Sequence, residues 1–286
     1  MSELVIGAVL IGALLHASWN ALVKVGGDRW LSPALIAGFS AVFGMTLIAL
    51  MPMPHPEHWP WLIVSGSLHL TYFTLLVISY GIGDFGRVYP IARGTAPLFV
   101  CIAAGPFLDE SLSTMEVISV SIIAIGVMSL SLEQDLIKKQ HRKVVIYALL
   151  TGISLAAVTL VDASGIRIMS SSIKEAPLVY LAWIMTISCV PFVSVVTYFR
   201  RKQILRYLRS YGGRGAIGAT FALASYALIL WAFSEAPASS VAAIRETGVI
   251  FAAIISAFFL GESYWRRRIP AAILVAIGAA GLHLAN

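Results

Sequence analysis

The sequence predicts an all-α integral membrane protein: ten transmembrane helices as two inverted five-helix repeats around a central cavity. Three observations predict it. First, 59% of the 286 residues are hydrophobic and 12% are charged, with a mean hydropathy of +0.87, whereas about a quarter of a soluble domain is charged. Second, apolar runs of about 20 residues, the length that crosses a bilayer core, recur along the whole chain. Third, the chain is duplicated. Arg93 and Arg245 stand 152 residues apart, as do Glu110 and Glu262, and the same offset pairs Ala124-Ile125-Gly126 with Ala276-Ile277-Gly278 and Leu130 with Leu282. So long a period means two half-molecules rather than a solenoid.

The ten segments are expected near 4–24, 31–51, 59–81, 86–108, 114–132, 144–166, 176–198, 215–235, 238–260 and 269–285. Turn clusters such as Gly26-Gly27-Asp28 and Pro52-Met53-Pro54-His55 separate them. Only the linkers Glu133 to Lys143 and Arg200 to Arg214 exceed a turn, which leaves no room for a soluble domain. The first repeat is therefore 1–133, a cytoplasmic linker 134–143, and the second repeat 144–286. Met1-Ser2-Glu3 lacks the basic start of a cleavable signal peptide. Cys101 and Cys189 both lie in apolar segments, which excludes a disulfide framework or thiolate metal site and makes them packing residues.

Loop charges set the orientation. Of the 20 lysines and arginines, 16 fall on one set of alternate loops, only Arg167 and Lys174 fall on the other, and Arg93 and Arg245 lie within spans. Short cytoplasmic loops carry the basic excess, so both termini are expected outside the cytoplasm, in a bacterial inner membrane. The net charge of +6 is read the same way, and no nucleic-acid partner is expected. Repeats of five helices must insert in opposite senses, so matching loops should differ in charge. The turn after the fourth segment, Asp109-Glu110 to Glu116, has no basic residue, while Trp265-Arg266-Arg267-Arg268 follows the ninth. Inverted repeats are a common build of secondary transporters, with the site at the midplane between the halves.

The ten-segment layout, Leu108-Asp109-Glu110-Ser111 and Leu260-Gly261-Glu262-Ser263 after the fourth and ninth segments, the repeated Ala-Ile-Gly, and His16-Ala17-Ser18-Trp19-Asn20-Ala21-Leu22-Val23-Lys24 together resemble EamA-type members of the drug/metabolite transporter superfamily. The resemblance covers essentially the whole chain and says little about substrate. It implies a central cavity lined by segments 1, 3, 4, 6, 8 and 9, with 5 and 10 peripheral. It also implies carriage of small polar or amphipathic metabolites, often outward.

Intramembrane polar residues mark the candidate site. An arginine in mid-span costs at least about 2.5–3.5 kcal/mol on insertion scales, so Arg93 needs a polar cavity or a partner. Its planar fork of donors suits a carboxylate or phosphate; the alternative is an internal salt bridge or carbonyl clamp. Tyr89 shares its face, and Pro90, Gly94 and Pro97 weaken the helix there. Arg245 has Glu246 next to it, about 100° around the helix, and could instead pair with Asp162 or cap carbonyls. His16, Asn20 and Lys24 form one stripe beside Trp19, with a snorkelling role expected for Lys24. His69, Tyr72 and Tyr80 in the third segment and Tyr226 and Trp231 in the eighth are aromatic or polar; Tyr72 and Tyr226 are carried forward. The substrate-binding candidates are thus Arg93, Tyr89, Trp19, Asn20, Arg245, Tyr72 and Tyr226. The proton-coupling candidates are Asp162, which Arg167 could neutralise, His16 and Glu246. Glu110 and Glu262 are read as structural.

The expected function is secondary active transport by alternating access of a small anionic or zwitterionic metabolite, such as an amino acid, organic acid or phosphonate or phosphate compound, with proton coupling open. No nucleotide-binding GxxxxGK[ST] sequence is present, which excludes a self-contained ATP-driven pump. Two alternatives remain: export of cationic or amphipathic drugs, and a membrane-embedded protease using Asp84 of Gly81-Ile82-Gly83-Asp84 with Asp162. Asp84 and Asp162 are expected toward opposite faces, whereas paired catalytic carboxylates must approach closely. No cofactor or metal is expected. The partners are the substrate and the lipid bilayer; a monomer suffices, and a dimer is compatible.

Overall fold

The computed structural model describes residues 1–26, 28, 30–82, 85–130, 139–259 and 265–285, and every element among them is helical. The helices are α1 (Glu3–Gly26), α2 (Leu31–Leu50), a 3-10 turn (Pro56–His58), α3 (Trp59–Ile82), α4 (Phe85–Leu108), α5 (Thr114–Ser129), α6 (Lys139–Ser170), α7 (Ala176–Glu235), α8 (Ala238–Arg245), α9 (Gly248–Phe259) and α10 (Trp265–Ala285). Six runs are long and apolar enough to cross a membrane, and α5 and residues 269–285 of α10 are shorter apolar helices.

Three boundaries differ from the sequence expectation. The seventh and eighth segments join in one 60-residue helix, α7, in which only Arg200 leaves helical geometry (φ −122°, ψ 22°). A straight helix of that length spans about 90 Å, three times a bilayer core. It must therefore fold back, and its contacts show that it does. Gly44 of α2 packs against Ala182 and Thr186, while Gly218 packs against Ile36. Ile36 and Gly44 are about 12 Å apart along α2, but Ala182 and Gly218 would be about 54 Å apart on a straight helix. The stretch after Arg200 reads as a loop because it is basic, yet lysine, arginine and leucine are good helix formers, and no Gly or Pro interrupts it before Gly212.

The ninth segment is broken. After Arg245 the ladder tightens, with the amides of Glu246 and Thr247 bonding the carbonyls of Ala243 and Ile244 at 3.0 Å, and α9 restarts at Gly248. The proline-rich fourth segment, where weakening was expected at Pro90 and Pro97, runs unbroken as α4. Third, α6 begins at Lys139, inside the stretch expected as a linker. Glu262, Asp84 and residues 131–138 lie outside the described residues, as do the side chains of Lys24, Tyr80 and Arg266 to Arg268.

Local chemistry sets the ends of α4 and α5. Asp109 ends α4 in the left-handed conformation (φ 53°), and the residue 152 later is Gly261, the type that conformation favours. Ser113 and Glu116 form a reciprocal capping box on α5, with Ser113 Oγ accepting from the Glu116 amide at 3.2 Å and Glu116 Oε2 from the Ser113 amide at 2.8 Å.

The duplication is visible in the packing of α5 on α10. A Cβ on Gly126 would stand 3.1 Å from the Ala271 carbonyl and 3.3 Å from Val275; one on Gly278 would stand 2.7 Å from the Ser119 carbonyl and 2.6 Å from Ile123. Ser119 and Ala271, Ile123 and Val275, and Gly126 and Gly278 each differ by 152, so the contacts are reciprocal, as across a twofold axis. On their outer faces Ile125 and Ile277 are 61% and 53% exposed, as lipid contact allows. Gly278→Leu is expected to destabilise the protein by about 1–3 kcal/mol through forced overpacking against backbone, read as a lower thermal midpoint in detergent. Gly38→Ala, where nothing lies within 4 Å, should leave it unchanged or slightly raised.

Candidate functional site

A cavity of about 110 Å³ lies near the middle of the helices. Its polar wall is His16 and Trp19 from α1, Ser40 from α2, His69 and Tyr72 from α3, Arg93 from α4, Ser225 and Tyr226 from α7, and Arg245 from the end of α8; less polar residues of α2, α3, α6 and both passes of α7 complete it.

The two arginines differ in partnership. Arg93, 2% exposed, places Nε 2.9 Å from Glu246 Oε2 in an ion pair whose N–H is poorly aligned with the oxygen, and Nη2 is buried without a hydrogen-bond partner. Its guanidinium lies 5.8 Å from the centroid of the Tyr89 ring, within cation–π range. Arg245, 6% exposed, makes no hydrogen bond or ion pair among the described residues, and its buried Nε has no partner. A buried cation left so is costly, and buried polar groups normally find partners. The helix breaks immediately after Arg245, with Glu246 as its cap. Discontinuous helices of this kind build the midplane sites of many transporters.

Beside the cavity lies a carboxylate cluster. Asp162, fully buried, accepts hydrogen bonds from Ser65 Oγ, from Tyr226 OH and, at 3.2 Å, from Tyr180 OH. His69 Nε2 stands 3.8 Å from Asp162 Oδ2, while His69 Nδ1 is 3.0 Å from the Ser65 carbonyl. A carbonyl only accepts, so Nδ1 carries a proton and Nε2 faces the carboxylate. Arg167 does not neutralise Asp162. It donates to Glu110 Oε1 at 2.7 Å and to the Phe233 and Ala236 carbonyls at 3.1 and 3.0 Å. Glu110 also accepts from the Ala238 amide at 2.7 Å and Ser239 Oγ at 3.0 Å. The pair ties the α4–α5 turn and α6 to the start of α8, where a carboxylate also complements the helix dipole.

Of the residues singled out in the sequence, Arg93, Arg245, Trp19, Tyr72, Tyr226 and His16 share the cavity wall. Trp19 Nε1 donates to His16 Nδ1 at 3.3 Å. Tyr89, Asp162 and Glu246 stand behind that wall. Asn20 lies off it, its amide donating to the His16 carbonyl at 2.8 Å within its own helix. Sequence reasoning passed over His69, which is both on the wall and beside Asp162; the polar Ser65 four residues earlier on the same face was its available signal. Ser225, whose Oγ donates to the Gly12 carbonyl at 2.7 Å, gave none.

A bundle of apolar helices around a buried, charged central cavity defines a membrane transport protein by its class of architecture. The EamA-like transporter family matches residues 142–284, half of the chain, and the protein belongs to that family within the drug/metabolite transporter superfamily. It is accordingly an integral membrane protein. No curated protein matches it significantly. Among solved structures 27 chains match; one, titled only "Crystal structure of protein", aligns with a TM-score of 0.72 and 14% identity over 97% of this chain and 98% of its own, a likeness of fold alone.

Proposed function

We propose that the protein is a secondary active transporter, not an enzyme, that moves a small anionic or zwitterionic metabolite by alternating access. Its two halves, 1–133 and 144–286, act as inverted five-helix repeats in a bacterial inner membrane, with the termini outside the cytoplasm. The observation that carries this reading is Arg245, a buried guanidinium on the cavity wall with no ion-pair partner among the described residues. A carboxylate, phosphate or phosphonate would supply the missing charge, with Arg93 Nη2 as a second donor and Trp19, Tyr72 and Tyr226 around it. Cationic drugs would meet two guanidiniums. Asp162 is the proton-coupling group, a buried carboxylate with His69 Nε2 3.8 Å away and the cavity-lining Tyr226 hydroxyl bonded to it. The protease alternative has less support: Asp84 lies outside the described residues, and the groups bonded to Asp162 are hydroxyls.

The test is counterflow in proteoliposomes, with small carboxylates and phosphonates as trial cargo. Wild-type protein should give saturable exchange for one anionic class, and Arg245→Gln should weaken its apparent affinity about 10- to 100-fold, the loss of one or two charge-assisted hydrogen bonds. Unchanged affinity in the variant would overturn the role of Arg245.

A further inference from the structure

We infer that the site selects a small monoanion with an apolar body and no ammonium group, such as a branched or linear aliphatic carboxylate, over the corresponding amino acid. The inference rests on the transporter reading above and narrows its cargo.

The charge balance of the wall leads to it. Two guanidiniums face the cavity; Glu246 stands 2.9 Å from Arg93, while Asp162, the other carboxylate beside the cavity, accepts from three hydroxyls and pairs with neither arginine. The duplication shows why Glu246 has no counterpart in the other half. The residue 152 before Glu246 is Gly94, and a Cβ there would press on Met128 and stand 3.0 Å from the Ala124 carbonyl of α5. Close packing of α4 on α5 excludes any side chain, so Arg93 has an acid partner and Arg245 has none among the described residues. Arg245 is therefore the guanidinium left to meet a ligand.

The same wall offers an ammonium no carboxylate, only neutral acceptors such as the hydroxyls of Ser40, Tyr72 and Tyr226. Glu246 is 1% exposed and Asp162 is 0% exposed, the second already accepting from three hydroxyls. Neither carboxylate is on the cavity surface. In an α-amino acid the ammonium sits about 3 Å from the carboxylate, so a carboxylate bound to Arg245 would hold it close to a like charge in a medium that screens poorly. Much of the surface is apolar, with Ile36, Phe73, Leu155, Val158, Phe192 and Ile229 available to the body of the ligand.

The experiment compares three probes on wild-type protein in detergent: 4-methylpentanoate, leucine, which adds only the α-amino group, and 4-methylpentanamide, which removes the charge. Affinities come from ligand-dependent thermal stabilisation and competition in counterflow. 4-Methylpentanoate is expected to bind at least tenfold more tightly than leucine, with the amide weaker still, and Arg245→Gln should abolish the preference for acid over amide. Leucine binding as tightly as the acid or more tightly would overturn this inference and leave the anionic-or-zwitterionic transporter standing. If the amide matches the acid, or no probe binds in wild-type protein, this inference fails. If the wider panel of carboxylates and phosphonates also shows no saturable exchange, the transporter reading fails with it. The wild-type comparison needs no variant to fold.

Discussion

Glu246→Ala is expected to lower the stability of the folded protein by about 3–5 kcal/mol, because it leaves Arg93 buried without its counter-charge. The pair lies deep: Arg93 and Glu246 are 2% and 1% exposed, with Nε and Oε2 2.9 Å apart. Its attraction offsets the desolvation of both ions, so removing one partner exposes the full penalty of the other. Arg93→Leu combined with Glu246→Ala should recover most of the loss, since exchanging a buried pair for apolar groups is often neutral. Thermal unfolding of the single and double variants in detergent, arranged as a double-mutant cycle, reads the coupling. A single variant within about 0.5 kcal/mol of wild type would mean that water or lipid solvates Arg93. The double variant also separates stability from transport, because it should fold yet lose the α4-to-α8 link at the cavity.

Asp162→Asn is expected to abolish accumulation driven by a pH gradient while substrate exchange at equal pH continues at near the wild-type rate. Asparagine keeps the size and one acceptor oxygen for Ser65, Tyr180 and Tyr226, so the cluster can stay assembled, but it cannot exchange a proton with His69. Proteoliposomes loaded at one pH and diluted into another measure the first property, and counterflow the second. Equal loss of both would make Asp162 a packing residue; accumulation unchanged would place any proton elsewhere. His69→Gln should move the pH profile of accumulation without removing exchange, the mark of a group acting through the carboxylate.

The duplication offset proved informative beyond the fold class. It is arithmetic on the sequence, yet the reciprocal contacts of Gly126 and Gly278 follow it residue by residue, and it exposes the mismatch between Glu246 and Gly94. Arg93, Arg245 and Asp162 were legible because a charge in a span of 20 apolar residues has few explanations. His69 was harder to find, since aromatic and imidazole side chains are also common as belt and packing residues. The helical elbow of α7 was hidden by its charge, which marks a loop in composition but favours a helix in propensity.

By itself the sequence determined that this chain lies in a membrane, that a 152-residue offset recurs along it, and which buried charges it must accommodate. These follow from composition, period and solvation cost, and none depends on where a helix sits. Only the tertiary structure decided which arginine is neutralised. Arg93 and Glu246 are 153 residues apart and meet only when α4 packs beside α8, whereas Glu246 is adjacent to Arg245 in sequence and forms no ion pair with it. Sequence proximity says little about electrostatic partnership when a helix rotates neighbouring side chains by about 100°, and the partner that removes a buried charge comes from whichever helix the packing brings alongside.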